Sequence, residues 1–343
     1  MAVVYAKVNR DTLRFIRETR RVSYEYIERI TKFTRNRIQL WESGEEDKWP
    51  TINRAKELAK CYHIPFAGFY TESANINVKN IPVLRNFRTF QSPIKDDTAV
   101  NLAIIDLLNV RDFFVESKKA LKEQIVAFDM YVVGGDSVVG WAEEIRKFLG
   151  ITIEEQYKCR STRQLFLLVR KRLEEKGVYV QGFTGVEPEV LRGVAIVDDL
   201  MPIIGINDND RPPAKTFSMI HELVHIIKRT SSVCNNMATT SAGVAEEVFC
   251  NAVAGEFLVP SYIIKSEQAG KNDLNFDLED VDRIAARFSV SSEVIARRLL
   301  DCGICSGNWY RKTRADLSKR FLKTGKITEK SEKPGFQTEF HEI

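Results

Sequence analysis

Residues 217–227 read FSMIHELVHII and contain the pair of histidines on which the predicted fold and chemistry depend. His221 and His225 are four residues apart, and such residues lie on the same face of a helix. Two imidazole nitrogens can therefore reach one zinc ion at about 2 Å. Glu222 follows the first histidine, where its carboxylate can take a proton from a metal-activated water. The stretch predicts a zinc site of the HExxH type on a buried, apolar helix.

The third protein ligand of such a site is expected to be a carboxylate. The other two histidines, His63 and His341, lie near the two ends of the chain. Residues 243–260 (GVAEEVFCNAVAGEFLVP) form the next predicted helix and offer Glu246 and Glu247. Glu247 is favoured because it shares its face with small and apolar residues. Both glutamates could instead be surface residues of an ordinary amphipathic helix.

Residues around the predicted zinc ligands are less clearly marked. Asn251 lies one turn after Glu247, on the face predicted to be buried, and can hold the carboxylate or a water molecule from the second shell. The group that would stabilise an oxyanion is not visible, and Tyr262 and Arg211 are candidates only by proximity in sequence. The lone CxxC at residues 302–305 is more often incidental than metal-binding.

Three short β-branched runs precede the histidine helix, at residues 177–181, 193–197 and 202–207. Gly, Pro and Asp bound these runs, so they are predicted to be strands. The last run, PIIGIN, is expected to be a sheet edge that can hold an extended peptide. Helical spacing predicts further helices at residues 97–123, 162–175, 215–229, 243–258 and a pair within 278–300. The predicted fold class is α+β, with an all-α head and a mainly helical body that contains one small sheet.

The composition is that of a soluble globular protein with two or three domains, since 44% of the 343 residues are hydrophobic and 29% are charged. No apolar run approaches the roughly 18–20 residues that span a bilayer, so no membrane segment is expected. The first residues lack a basic region followed by an apolar core, so no signal peptide is expected either. Six scattered cysteines suit reduced thiols, which predicts a cytoplasmic protein.

The first part of the chain is basic, with 14 Lys and Arg against 9 Asp and Glu in residues 1–70. This balance favours a phosphate-backbone partner, although a solvated helical face gives the same pattern. Thr34 can cap a short helix from Arg35 to Trp41 that Gly44 ends. Side chains of the kinds that read base edges or phosphates lie on its outer face: Arg35, Asn36, Arg37 and Gln39. The expected partner of the head is duplex DNA, and the alternative is a module for protein contacts.

The head resembles the helix-turn-helix domain of the Xre family, which is similar to Cro and the phage repressors. The resemblance covers about 60 residues and rests on a frame of Ser23, Thr34, Trp41, Glu42, Gly44, Pro50, Leu58, Ala59, Ile64 and Pro65. One departure lies in the turn before the recognition helix, where the family has a small residue and glycine. Lys32 and Phe33 stand there, and they could loosen the turn or redirect the helix.

The body resembles the ImmA/IrrE family of zinc metallopeptidases over about residues 81–300. The matching segments are IPVLRNFRTF, with Asn86 where the family has aspartate, LRGVAIVDDLMPIIGIN, FSMIHELVHII and EEVFCNAVAGEFLVP. The resemblance implies a zincin-like fold, zinc ligands at His221, His225 and Glu247, and a general base at Glu222. It also implies that the substrate is a repressor-type protein, whose cleavage turns on mobile-element, prophage or stress genes.

The predicted domains are a helix-turn-helix domain at 1–75, a linker at 76–95, a zinc peptidase at 96–305 and a basic C-terminal tail at 306–343. The linker looks extended, so the head and the body are expected to be tethered rather than packed. Two other functions remain open. One is a DNA-binding transcription regulator whose body only senses a ligand or partner. The other is an antitoxin-like binding module. The oligomeric state is not visible in the sequence.

Overall fold

The computed structural model describes residues 3–45, 48–72, 98–130, 137–229, 241–268, 270–273 and 276–328. The predicted linker at 76–95, which includes Asn86 of the IPVLRNFRTF segment, lies outside these residues. The described helices include none that is both long and apolar enough to cross a membrane.

The head consists of short helices around a core of its own. They are α1 (Arg10–Thr19), α2 (Tyr24–Thr31), α3 (Arg35–Ser43), α4 (Ile52–Cys61) and a 3-10 helix (Phe66–Tyr70). Ser23 caps α2 by accepting a hydrogen bond from the backbone N–H of Tyr26. Gly44, in the left-handed conformation with φ 78°, ends α3 as expected. Leu13, Ile27 and Ile38 are completely buried at the centre of the head.

The turn between α2 and α3 is tight, although it lacks a glycine. Lys32 adopts the left-handed conformation with φ 61°, and its backbone N–H donates to Glu28 O. The hydroxyl of Thr31 accepts a hydrogen bond from the N–H of Phe33 at 3.1 Å. The ring of Phe33 is buried and meets Trp41 edge to face, with 5.4 Å between centroids. Phe33 therefore anchors α3 to the core of the head, and the turn is not loosened.

Replacing Lys32 by glycine is expected to raise the free energy of unfolding by about 0.5–1 kcal/mol. The left-handed conformation strains a residue that has a Cβ atom, and glycine adopts it freely. Urea denaturation of the full chain measures the change. Lys60→Gly, in the exposed last turn of α4, is the control and should lower stability by a similar amount. A Lys32→Gly variant that is as unstable as this control would contradict the argument.

Helix α5 (Thr98–Leu121) connects the head to the sheet of the body. Its residues Leu102 and Ile105 belong to the core of the head. Ile104 belongs to a second core, which α5 forms with the sheet. Helix α5 lies so close to strand residue Gly205 that a Cβ atom there would be 2.5 Å from Leu107 Cδ1. One helix therefore completes two cores. The structure differs here from the expectation of two parts that are tethered without packing.

Polar contacts also join α5 to the head. The Thr98 hydroxyl accepts a hydrogen bond from Ser23 N at 3.0 Å and donates one to Arg21 O at 3.2 Å. Asp106 lies between the buried residues Ile105 and Leu107 of α5, and its Oδ2 is 2.6 Å from His63 Nδ1. These contacts are directional, so they fix the orientation of α5 against the head as well as its depth.

The body contains the remaining helices and all three described strands. In chain order these are α6 (Val138–Leu149), α7 (Ile153–Lys158), α8 (Thr162–Glu175), β1 (Tyr179–Phe183), β2 (Gly193–Ile196), β3 (Ile203–Asn207), α9 (Pro212–Ile227), α10 (Ser241–Leu258), α11 (Ser261–Glu267), α12 (Leu278–Phe288), α13 (Ser292–Asp301) and α14 (Gly307–Thr328). The predicted fold class, α+β with a mainly helical zincin-like body, is confirmed. The weakly patterned tail that was expected after residue 306 begins as helix α14.

The sheet has the strand order β1-β3-β2, with β1 parallel and β2 antiparallel to β3. The expectation that PIIGIN forms a sheet edge is therefore wrong, because β3 is paired on both sides. All five residues of β3 are buried, as a continuous apolar run in a central strand should be. The edge strand that packs against α9 is β2.

The two faces of the sheet pack on different helices. Val194 and Ile196 of β2 face the core shared with α5. Ala195, between them, belongs to the main core with α9. Alternation of side chains along the strand thus places β2 between the helix that leads to the head and the helix that carries the histidines.

A buried ion pair fixes the end of α10. Arg298 of α13 and Glu256 of α10 form this pair, and each side chain is only 5% exposed. Arg298 Nε also donates to Val259 O at 3.0 Å. The other carboxylate oxygen of Glu256 accepts from the N–H and the hydroxyl of Ser261, at 2.8 and 2.9 Å. Because these partners satisfy both charges, α10, α11 and α13 are held together at one point.

Candidate metal centre

Helix α9 carries its polar side chains into the interior of the body. Two prolines are the first residues of the helix. N–H groups at this position have no partner within the helix, so the prolines cost no hydrogen bond. Every residue from Ser218 to Ile227 is buried. His221, Glu222 and His225 are 2%, 4% and 3% exposed. Burial of three ionisable groups in this apolar helix is costly unless they have partners.

The partner of both histidines is Glu247 on α10, which is 6% exposed. Its Oε2 lies 3.2 Å from His221 Nε2, and its Oε1 lies 3.0 Å from His225 Nε2. The two Nε2 atoms are 3.2 Å apart. The three side chains predicted as metal ligands are therefore brought together by the packing of α10 along α9.

The geometry of this cluster fits a metal ion. One ligand atom from each of the three residues can be chosen so that all lie within 4.8 Å of one another. Tetrahedral coordination at roughly 2.0–2.1 Å places neighbouring ligand atoms about 3.3 Å apart, and the observed separations are 3.0–3.2 Å. Two imidazoles and one carboxylate leave a fourth position for a water molecule or a substrate.

Strong electrostatic coupling holds the cluster together. Burial alone would lower the pKa of His225, but contacts with Cys250, Glu246 and Glu247 raise it. Burial would likewise raise the pKa of Glu247, but hydrogen bonds from His221 and His225 lower it. The cluster therefore favours a protonated imidazole beside an ionised carboxylate. A metal ion has to displace that proton, because a ligating imidazole is neutral.

Glu222 lies against the edge strand of the sheet. A Cβ atom at Gly193, the first residue of β2, would be 3.0 Å from Glu222 Oε1 and 3.1 Å from its Cγ. A larger residue at this position would push the carboxylate away by a few tenths of an ångström. The predicted base thus lies beside the strand along which an extended peptide could bind.

An open cleft of about 910 Å³ is lined by residues of α9, α10 and α13, and His221, Glu222, His225 and Glu247 are not among them. Arg192, Phe217, Ser218 and Asn251 are among the residues that line it. Asn251 is exposed, so the expectation that it lies on a buried face with Glu247 is wrong. The face of α10 that is buried at Glu247 is exposed to the cleft one turn later. The suggestion that Asn251 holds the carboxylate or a water molecule remains a prediction.

The two residues suggested for oxyanion stabilisation do not line this cleft. Tyr262 is 59% exposed and lines a separate cavity with Arg146 and Glu154. Arg211 is exposed at the start of α9. Sequence reasoning missed Arg192, which does line the cleft and pairs with Asp210 at 3.1 Å. Arg192 directly precedes β2, so the pairing of β2 with β3 determines its position. The local sequence does not show which strands pair.

The outer face of α3 presents the predicted DNA-reading residues. All of Arg35, Asn36, Arg37 and Gln39 are exposed, whereas Ile38 between them is completely buried. A neighbouring groove is lined by Asn36 and Arg37 together with Lys7, Lys48, Trp49 and Arg54. The surface is basic and accessible, as contact with a phosphate backbone requires.

The sheet, α9 and α10 lie in a segment that matches a known protein family. Residues 170–300 match the family model of the IrrE N-terminal-like domain, Peptidase_M78. This part of the chain is therefore an ImmA/IrrE-like domain, as its sequence segments indicated, and it contains the whole sheet, α9 and α10.

A comparison with solved structures finds a Mycobacterium tuberculosis transcriptional regulator at 16% identity and a TM-score of 0.29. The match covers 48% of this chain and 50% of that one, so this chain aligns with about half of the regulator's length. None of the curated proteins matches the chain.

Under the peptidase activity that the sequence resemblance implies, replacing Gly193 by alanine is expected to slow peptide cleavage about tenfold. The new Cβ would displace the Glu222 carboxylate by a few tenths of an ångström, and a 1 Å misplacement near a reacting group can cost about 100-fold. The initial rate on a mixed library of quenched fluorescent peptides measures the change. Gly140→Ala on α6, where a Cβ makes only ordinary contacts, is the control. Equal rates for the two variants would show that Glu222 does not need this strand.

Proposed function

We propose that the chain is a zinc-dependent endopeptidase with a DNA-binding head and that its substrate is a repressor-type protein. The observation that carries the proposal is the buried cluster of His221, His225 and Glu247 beside Glu222. An ordinary helix pair does not bury three ionisable groups at 3.0–3.2 Å from each other.

Zinc is the metal that suits this donor set. Two imidazoles with one carboxylate form a three-ligand set of catalytic zinc sites, which keep the fourth position open. Carboxylate and carbonyl oxygens would dominate a site for magnesium or calcium. The assignment therefore rests on the chemistry of His221, His225 and Glu247.

The proposed reaction assigns separate roles to the metal and to residues of the chain. Bound zinc supplies a Lewis acid that polarises a carbonyl group and lowers the pKa of water. Glu222 accepts the proton of the attacking water and donates it to the leaving amine. β2, which is an edge strand of the sheet formed by the described residues, binds the substrate as an additional strand, through backbone hydrogen bonds. Gly193 has no Cβ atom, so β2 itself can lie close to the Glu222 carboxylate.

The head supplies the second activity, binding of duplex DNA through α3. The exposed side chains Arg35, Asn36, Arg37 and Gln39 suit base edges and phosphates. Resemblance to ImmA/IrrE peptidases, together with a head of the Xre type, supports a repressor-type protein as the substrate. Cleavage would then derepress mobile-element, prophage or stress genes. The five cysteines in the described ranges are free thiols, which supports a cytoplasmic location.

Glu222→Gln is expected to keep the metal and the fold but to reduce cleavage at least 100-fold, because an amide cannot accept the proton of the water. The full chain should hold about one zinc per molecule, measured by elemental analysis, and His221→Ala or His225→Ala should lose it. Cleavage is followed with the mixed peptide library and with a repressor-type protein.

The outcomes separate the candidate functions. Full activity of Glu222→Gln would rule out Glu222 as the base. Stoichiometric zinc in a His221→Ala, His225→Ala double variant would overturn the metal site. A wild-type chain that binds metal and DNA but cleaves neither the repressor nor the peptide library would favour a regulator or antitoxin whose body is a sensor or binding module.

The full chain is expected to bind duplex DNA with an affinity that falls as salt rises, because Lys and Arg contacts release counterions. Arg35→Ala or Arg37→Ala should weaken binding about tenfold. Arg14→Ala is the matched control, since Arg14 is exposed on α1 and pairs with Asp11. Fluorescence anisotropy at several salt concentrations measures the affinity. If none of the proteins binds DNA at low salt, the head is a protein-contact module.

A further inference from the structure

The two ring nitrogens of His225 face different groups. Nε2 faces the metal cluster, 3.0 Å from Glu247 Oε1 and 3.2 Å from His221 Nε2. Nδ1 lies on the opposite side, 3.7 Å from Glu246 Oε1 and 3.9 Å from Cys250 Sγ. Helix α10 therefore supplies contacts to both nitrogens of one imidazole.

The chemistry of a ligating histidine defines what Nδ1 requires. When Nε2 donates its lone pair to a metal, the proton of the neutral ring is on Nδ1, and that N–H needs an acceptor. His225 is only 3% exposed, so the protein has to provide most of this contact. A carboxylate accepts hydrogen bonds strongly, whereas a thiol is a weak acceptor.

We propose that Glu246 is a positioning residue for His225. Its carboxylate stabilises the tautomer with the proton on Nδ1, orients the ring towards the metal and makes Nε2 a stronger donor. The inference rests on the metal site of the proposed function and adds a residue to it. Glu246 and Glu247 are consecutive, so α10 directs one carboxylate to each side of the same ring.

The geometry of Glu246 suits this role better than a ligand role. Its side chain is 27% exposed, whereas that of Glu247 is 8% exposed. The Oε1–Nδ1 distance of 3.7 Å is too long for a hydrogen bond, so the contact is electrostatic as it stands. Cys250, which is completely buried, lies 3.9 Å from Nδ1, within hydrogen-bonding range for a sulfur atom.

Metal affinity of the full chain tests the inference without reference to cleavage. Competition with a chromophoric chelator gives the Zn²⁺ affinity, and the visible absorption of the Co²⁺-loaded protein reports ligand geometry. Glu246→Ala is expected to weaken Zn²⁺ binding 10–100-fold and to alter the Co²⁺ spectrum. Glu246→Gln keeps an acceptor but loses the charge, so its affinity should fall between those of Glu246→Ala and the wild type.

Two controls complete the experiment. Glu144→Gln, which changes an exposed glutamate on α6, should leave the affinity unchanged. Cys250→Ala should change it less than Glu246→Ala does. Circular dichroism confirms that each variant is folded, and Glu246→Gln, which is nearly isosteric, serves if Glu246→Ala is not. Wild-type affinity and an unchanged Co²⁺ spectrum in the Glu246 variants overturn this inference alone. A wild-type chain that binds neither metal overturns the proposed metal site and this inference together.

Discussion

The body of this protein depends on the contact of two imidazoles with one carboxylate in the interface between α9 and α10. His221, His225 and Glu247 are each at most 6% exposed, and their ligand atoms lie 3.0–3.2 Å apart. Each group would be costly to bury alone, and each is stabilised by the other two. The interface can therefore close only with the three side chains in this register. That register also places Glu222 against Gly193 of the edge strand.

Much of this site could be predicted because its information is local. Residues at i and i+4 share a helix face, so the spacing of His221 and His225 alone placed them together. Glu247 followed from the search for a third ligand on the next helix, and the structure places its carboxylate between the two rings. The role proposed for Glu246 was not accessible in this way. The spacing of residues on α10 does not show which nitrogen of His225 faces which carboxylate.

The features that sequence reasoning missed depend on packing between distant segments. A buried apolar run such as PIIGIN predicts a strand but not its place in the sheet, so β3 was taken for an edge. Asn251 was expected to be buried because its helix face is buried at Glu247, yet the cleft opens between the two turns. Lys32 departs from the turn pattern, but the buried ring of Phe33 restores a rigid turn. The place of β3 in the sheet and the opening of the cleft depend on distant segments, whereas the turn at Lys32 depends on contacts within residues 28–41.

Helix α5 changes how the head can cooperate with the body. A flexible tether would act only by raising the local concentration of the site near DNA. Leu102 and Ile105 pack in the head while Ile104 and Leu107 pack on the sheet, so α5 ties the two parts together by direct contact. The same sheet core includes Val194 of β2. Val194 follows Gly193, which lies against the Glu222 carboxylate. Under the proposed function, a substrate strand added to β2 therefore pairs with a strand that packs on α5 through one face and on α9 through the other. Packed side chains of α5, rather than a loose linker, therefore connect the head to the strand beside Glu222.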